Sequence, residues 1–105
     1  MSRSEHRQFA EALRQRVVSA PAETPESLRR DVLTRAAGGP PLAEPYDALV
    51  HQIAEAASRV TDAQVSAVRG VTGSDKASFE VVMAAAIGAG LQRWDQAMEA
   101  LDAAS

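Results

Sequence analysis

The chain has 105 residues, a length that corresponds to one domain with a modest core. It contains no cysteine, so disulfide bonds, thiolate chemistry and cysteine-ligated zinc are excluded. Hydrophobic residues make up 46% of the chain, alanine is abundant and β-branched runs are scarce, which predicts an all-α protein. Residues 1–16 carry charges throughout, so we expect no signal peptide and a cytoplasmic location.

The net charge of −3 is distributed unevenly along the chain. Residues 1–35 contain seven basic and five acidic side chains, whereas residues 36–105 contain four basic and nine acidic ones. This asymmetry predicts contact between the two parts, either within one chain or between neighbouring subunits. Nucleic-acid binding would require positive charge clustered on one face, which the sequence lacks, so we expect no nucleic-acid partner.

Residues 1–39 are predicted to form an N-terminal arm of two helices. The first covers residues 4–19 and carries Phe9, Leu13 and Val17 on one apolar stripe.

The second helix has clear start and stop signals. Thr24 is the expected N-cap and Pro25 the first helical residue. The run Gly-Gly-Pro-Pro at 38–41 is expected to end the helix and to form a hinge.

Residues 40–105 are predicted to form the helical core, which gives five helices in all. The third helix covers residues 45–60 with an apolar period of 3.6. Thr61 and Gln64 have the spacing of a capping box, which starts a short fourth helix that is expected to end at Gly70.

The fifth helix is predicted to run from the cap at 74–75 to about residue 103. Its segment 81–91 is apolar on every side, although it is too short for a membrane span, which needs ~20 residues. Four short helices cannot cover such a segment, so we expect a homo-oligomer. The apolar stripe of the helix consists of Phe79, Met83, Ala86, Gly90, Trp94, Ala97 and Leu101. The expected subunit interface consists of Met83, Ala84, Ile87, Gly88, Gly90 and Leu91.

A longer pattern accompanies this segment. It comprises Val-Thr-Asp-Ala-Gln-Val at 60–65, Ala-Val-Arg-Gly at 67–70, Ser-Asp at 74–75, Phe-Glu-Val-Val at 79–82 and the small-residue run 84–93. The pattern resembles the C-terminal half of alkylhydroperoxidase D-like proteins, the carboxymuconolactone decarboxylase superfamily. The resemblance covers roughly residues 46–101 and implies an all-α fold that assembles into dimers, trimers or hexamers.

The family's peroxidase members carry a Cys-x-x-Cys-x-x-x-His motif and an upstream glutamate. The present chain has no cysteine to match that motif, so the resemblance implies the scaffold without thiol peroxidase activity, and no catalytic residue is carried over. The decarboxylase branch of the family also lacks these cysteines. No residue pattern in this sequence matches an active site of the decarboxylase branch.

His51 and Glu80 are the weak catalytic candidates. His51 lies four residues after Asp47 and four before Glu55, a ladder that could orient a general base or form a solvated ion-pair face. Because the apolar stripe of the helix puts His51 on the wet side, the solvated face is favoured. Glu80 would act as an acid if burial raised its pKa, but an ion pair with Lys76 is favoured.

Tyr46, Arg93 and Trp94 are the weak ligand-binding candidates. Arg93 beside Trp94 could stack on a ligand, although a surface ion pair is favoured. We expect no metal site, since one helix with one histidine and two acids falls short of the three or four ligands of zinc, and we expect no cofactor.

Two functions follow from these patterns. The leading hypothesis is a non-catalytic oligomeric helical protein on the alkylhydroperoxidase D-like scaffold. The alternative is a carboxymuconolactone decarboxylase-like enzyme or a small-ligand binder, with an intersubunit pocket that contains Tyr46, His51, Glu80 and Arg93. A pocket of ~300 Å³ or more lined by these four residues would favour the alternative.

Overall fold

The computed structural model describes residues 2–104, and within them every regular element is helical. The predicted all-α class with five helices is therefore confirmed. The helices are α1 (Arg3–Ser19), α2 (Glu26–Ala36), α3 (Tyr46–Ala56), α4 (Asp62–Thr72) and α5 (Asp75–Ala104), with a 3-10 turn at Ala57–Arg59. No helix in the described part of the chain combines the length and the apolarity that crossing a bilayer requires.

The core lies where α2, α3 and α4 pack on the N-terminal half of α5. α2, which the sequence placed in an N-terminal arm, is at the centre of this packing. The largest fully buried side chains are Val32, Leu49, Val50, Val68 and Val81.

α5 is the longest element and spans the whole molecule. Its 30 residues correspond to about 45 Å of helix, against a longest molecular dimension of 48 Å. All its buried residues lie between Ala77 and Ala89. The C-terminal half therefore extends beyond the core, where α1 lies alongside it and contributes two ion pairs.

Several predicted helix boundaries are confirmed by their hydrogen bonds. Both bonds of the capping box between Thr61 and Gln64 are present. The Ser74 hydroxyl accepts from the Ala77 backbone N–H at 3.0 Å at the start of α5. Gly38, two residues after the end of α2, has a φ of +99°, a conformation that favours glycine.

Other boundary predictions are wrong. α2 begins at Glu26 with Pro25 at the N-cap position, because the Thr24 hydroxyl donates to a distant carboxylate instead of capping the helix. α4 continues through Gly70 to Thr72 and ends at Gly73, which adopts the left-handed conformation at a φ of +88°.

The third and first helices also depart from the prediction. α3 ends at Ala56, so Val60 lies beyond it. α1 buries Ala10 and Val18, whereas Phe9 is 64% exposed and lines a groove between α1 and α5.

Candidate functional site

The apolar stripe predicted on the fifth helix lies on its exposed side. We call it the outer face of α5; its residues are Phe79, Met83, Ala86, Gly90, Trp94, Ala97 and Leu101, and all seven are exposed. Phe79 is 59% exposed, Trp94 48% and Leu101 62%. The stripe spans 23 residues, which correspond to about 33 Å of helix and to most of the length of the molecule.

A groove between α1 and α5 adjoins the outer face. It has a volume of about 420 Å³ and apolar walls formed by Phe9, Ala10, Gly90, Leu91 and Trp94, with His6 at one end. We call this the α1–α5 groove.

A second, charged depression of about 430 Å³ shares His6 and Trp94 with the α1–α5 groove. The two rings are 5.3 Å apart, and within the described residues His6 Nδ1 is a buried atom without a hydrogen-bond partner.

Ion pairs fix α1 beside the C-terminal half of α5. A guanidinium nitrogen of Arg14 lies 2.7 Å from a carboxylate oxygen of Asp95, and Arg3 pairs with Asp102. The basic N-terminal part therefore contacts the acidic remainder within one chain, which is the first of the two alternatives that the charge distribution predicted.

The six residues expected at a subunit interface do not all lie on the surface. Met83 and Gly90 are exposed, and Ile87 and Leu91 are half-buried. Ala84 and Gly88 are buried among the helices of their own chain.

Gly88 lies directly against the backbone of α2. A Cβ at Gly88 would overlap the carbonyl oxygen of Leu33, so this glycine meets α2 of its own chain. The surface available to a second copy is thus the outer face and not the full circumference of α5.

The structure gives Glu80 other hydrogen-bond partners than the sequence suggested. Its carboxylate accepts hydrogen bonds from the backbone N–H groups of Glu23 and Thr24, at 3.0 and 2.8 Å, and from the Thr24 hydroxyl at 2.6 Å. Burial alone would raise the pKa of Glu80, but these hydrogen bonds together with the charge of Arg29 hold it below its ordinary value. The carboxylate fixes the loop before α2 to α5, and both expectations, a raised pKa and a pairing with Lys76, are corrected.

Replacing Glu80 by glutamine is expected to lower the free energy of unfolding at pH 7 by about 1–3 kcal/mol, since a charged acceptor of three hydrogen bonds is lost. Because the folded pKa lies below the ordinary 4.5, the unfolded chain binds the proton more tightly. The contribution of Glu80 is therefore complete above about pH 5 and is lost as the pH falls through 4.5 towards the folded pKa.

Urea unfolding monitored by circular dichroism from pH 3 to pH 7 measures both effects. The variant should show a flatter acid limb than the wild type. The control is Glu99→Gln, which changes an exposed carboxylate on the same helix. Equal acid limbs in the wild type and in Glu80→Gln would contradict this role of Glu80.

His51 lies on the surface in a small polar cluster. Arg35 donates to Asp47 at 2.7 Å and also lies 3.3 Å from His51 Nδ1, while His51 itself is exposed. Hydrogen bonds from Arg35 and from the Leu42 backbone N–H hold the pKa of Asp47 below its ordinary value. Asp47 thus connects α2 to the start of α3.

The polar residues of the alternative hypothesis are not brought together. Glu80 binds the loop before α2, His51 contacts Arg35, and Arg93 donates to the Ala54 carbonyl at the end of α3. Tyr46 packs, partly buried, against the core. None of these four residues lines the α1–α5 groove or the charged depression, whereas Trp94 lines both.

Sequence reasoning missed His6 and Phe9 as surface-forming residues. His6 lies near the chain end in a charged segment that shows no motif, and the apolar stripe of the first helix predicts burial for Phe9. Phe9, Leu13 and Val17 recur at every fourth residue of α1, but periodicity alone does not show which apolar side of a helix meets its neighbours.

Within residues 2–104, no group of three or more histidine, aspartate or glutamate side chains is placed to hold a metal ion. In comparisons with known proteins, no protein-family model, curated sequence or solved structure matches this chain significantly.

Proposed function

We propose that this chain is a non-catalytic, self-associating helical domain in which another copy covers the outer face of α5. The observation that carries the proposal is the length of that face: seven apolar positions in succession are exposed over about 33 Å. Soluble monomers seldom leave contiguous apolar patches beyond a few hundred Å² in water.

The exposed area is large enough for a stable contact. Phe9, Phe79, Met83, Trp94 and Leu101 together leave on the order of 500 Å² of side-chain surface in water. Two copies would bury ~1,000 Å², the lower limit of specific interfaces. At ~25 cal/mol per Å² the gross gain is roughly 25 kcal/mol, which exceeds an association cost of about 4–15 kcal/mol.

The alkylhydroperoxidase D-like scaffold without thiol peroxidase chemistry remains part of this proposal. Its support is the sequence pattern, namely a capping box at Thr61, a short helix and a long helix of small residues. The absence of cysteine separates the chain from the peroxidase members.

Static light scattering and sedimentation velocity at micromolar concentrations test the proposal. The wild type is expected to have at least twice the mass of the 11.1 kDa chain. Ala86→Glu puts a charge at the middle of the outer face and should yield monomer, because burying an unpaired carboxylate is costly.

The matched control is Ala12→Glu. Ala12 is exposed on α1 and lies two residues from the buried Ala10, so it is directed away from α5. A wild type that stays monomeric, or equal dissociation of both variants, would contradict the proposal.

A small-ligand binder is the second candidate, and the α1–α5 groove is the observation that favours it. Its volume falls within the range of small-molecule sites, and its walls are apolar with His6 as a polar group. Trp94, the single tryptophan of the chain, lines this groove, so titrating an apolar probe against its fluorescence measures such binding directly.

A further inference from the structure

We infer that two copies of this chain pair through their α5 outer faces in an antiparallel arrangement, about a twofold axis that passes beside Gly90. The inference rests on the proposed self-association and adds to it a direction, a register and a central residue. It follows from how the outer face is arranged around that glycine.

The outer-face residues are spaced symmetrically along the chain on the two sides of Gly90. Ala86 and Trp94 each lie four residues from it, and Met83 and Ala97 each lie seven. The terminal members, Phe79 and Leu101, each lie eleven residues away. A twofold axis at Gly90 therefore places each outer-face residue opposite another member of the same face.

This pairing matches large side chains with small ones near the axis. Ala86 would face the partner's Trp94, and Met83 would face the partner's Ala97. At each end Phe79 would face the partner's Leu101, while at the axis two glycines would meet. Close packing requires such alternation of size across facing positions.

A parallel arrangement would place every residue opposite its own copy. Two Trp94 rings would then collide four residues from a pair of glycines, and paired alanines would leave gaps elsewhere. The side-chain sizes on the two outer faces are thus complementary only when the two helices run antiparallel.

Gly90 has no packing role within the protomer. A Cβ at this position would meet nothing within 4 Å, unlike one at Gly88, which would overlap α2. A glycine inside a helix is unfavourable by about 1 kcal/mol relative to alanine, so its presence needs another reason. Close approach of a second α5 at the twofold axis supplies that reason.

Cysteine pairs test the register, because the natural chain has no cysteine. Met83→Cys and Ala97→Cys are prepared as separate full-length proteins, oxidised with diamide alone and as a mixture, and analysed by intact mass. Positions 83 and 97 of opposite copies would face each other. In the same arrangement, position 83 of one copy would lie about 21 Å along the helix axis from position 83 of the other copy, and the same holds for position 97. This exceeds the ~7 Å Cα separation that a disulfide allows.

The mixture is expected to give the heterodimer of Met83→Cys with Ala97→Cys as its main cross-linked product, and neither variant alone should cross-link. Ala12→Cys, away from the outer face, controls for random collision and should also stay uncross-linked.

Self-cross-linking of Met83→Cys would show a parallel pair and overturn the inference while leaving the self-association in place. So would an absence of the heterodimer when light scattering shows that both variants are dimeric. A monomeric wild type would instead remove the proposed function and the inference together.

Discussion

Replacing Arg29 by methionine is expected to lower the free energy of unfolding by about 3–5 kcal/mol, the largest effect of any single change that we expect in this chain. Arg29 is a buried residue, only 4% exposed. Its guanidinium donates to four backbone carbonyls, those of Val17, Val18, Ala20 and Thr24, and to the Thr24 hydroxyl.

These carbonyls include the last turn of α1, where helical acceptors lack partners and carry partial negative charge. Methionine fills a similar volume but donates no hydrogen bond, so several buried acceptors would be left unsatisfied at a cost of roughly 1–3 kcal/mol each before relaxation. Total stabilities of such domains are about 5–15 kcal/mol, which makes this loss large.

Urea unfolding at pH 7 measures the effect, and Arg30→Met is the matched control. Arg30 is the next residue of the same helix and is exposed. Its replacement should change the free energy of unfolding by no more than about 0.5 kcal/mol. Similar stabilities of the two variants would show that the carbonyl contacts of Arg29 contribute little.

The second large effect is expected at Gly88. Gly88→Ala should destabilise the protein by about 1–3 kcal/mol, although alanine is the better helix former. The added Cβ would overlap the Leu33 carbonyl oxygen and lie 3.1 Å from that residue's carbonyl carbon and Cα. Both are backbone atoms of α2, so relief requires moving a helix rather than rotating a side chain.

Gly70→Ala is the control, because the same substitution there meets nothing within 4 Å in a helix. It should stabilise the protein by about 0.5–1 kcal/mol through backbone entropy and helix propensity. The two changes are chemically identical and should have opposite signs. A stabilising effect of Gly88→Ala would contradict the close approach of α5 to the α2 backbone at Leu33.

Local signals predicted most of the fold. The capping box at Thr61, the serine cap at Ser74 and the glycine after α2 act over three or four residues, so the sequence displays them directly. The end of α4 was misplaced because two glycines, Gly70 and Gly73, compete within one turn, and only backbone geometry distinguishes them.

The orientation of α5 could not be predicted from its pattern. The helix has two apolar sides, one made of alanine, glycine and valine and one that also carries the large side chains of Phe79, Met83, Trp94 and Leu101. Burial of large side chains is the usual expectation, yet the structure buries Ala84, Ala85 and Gly88 because α2 approaches that side closely. The contacts of Glu80 and Arg29 could not be predicted either. Glu80 and Arg29 bind backbone atoms of residues that are distant in sequence, and any residue at those positions would provide such atoms.

α5 buries small residues on its inner side and exposes its large apolar side chains on the outer face, which separates the packing of the chain's own helices from contacts at the surface. Close approach of backbones holds the protomer together, so substitutions on the inner side should change folding. The bulky side chains outside contribute little to that packing, so they can vary in size and shape without unfolding the chain. Substitutions on the outer face would therefore alter the proposed self-association and leave the fold of the chain unchanged.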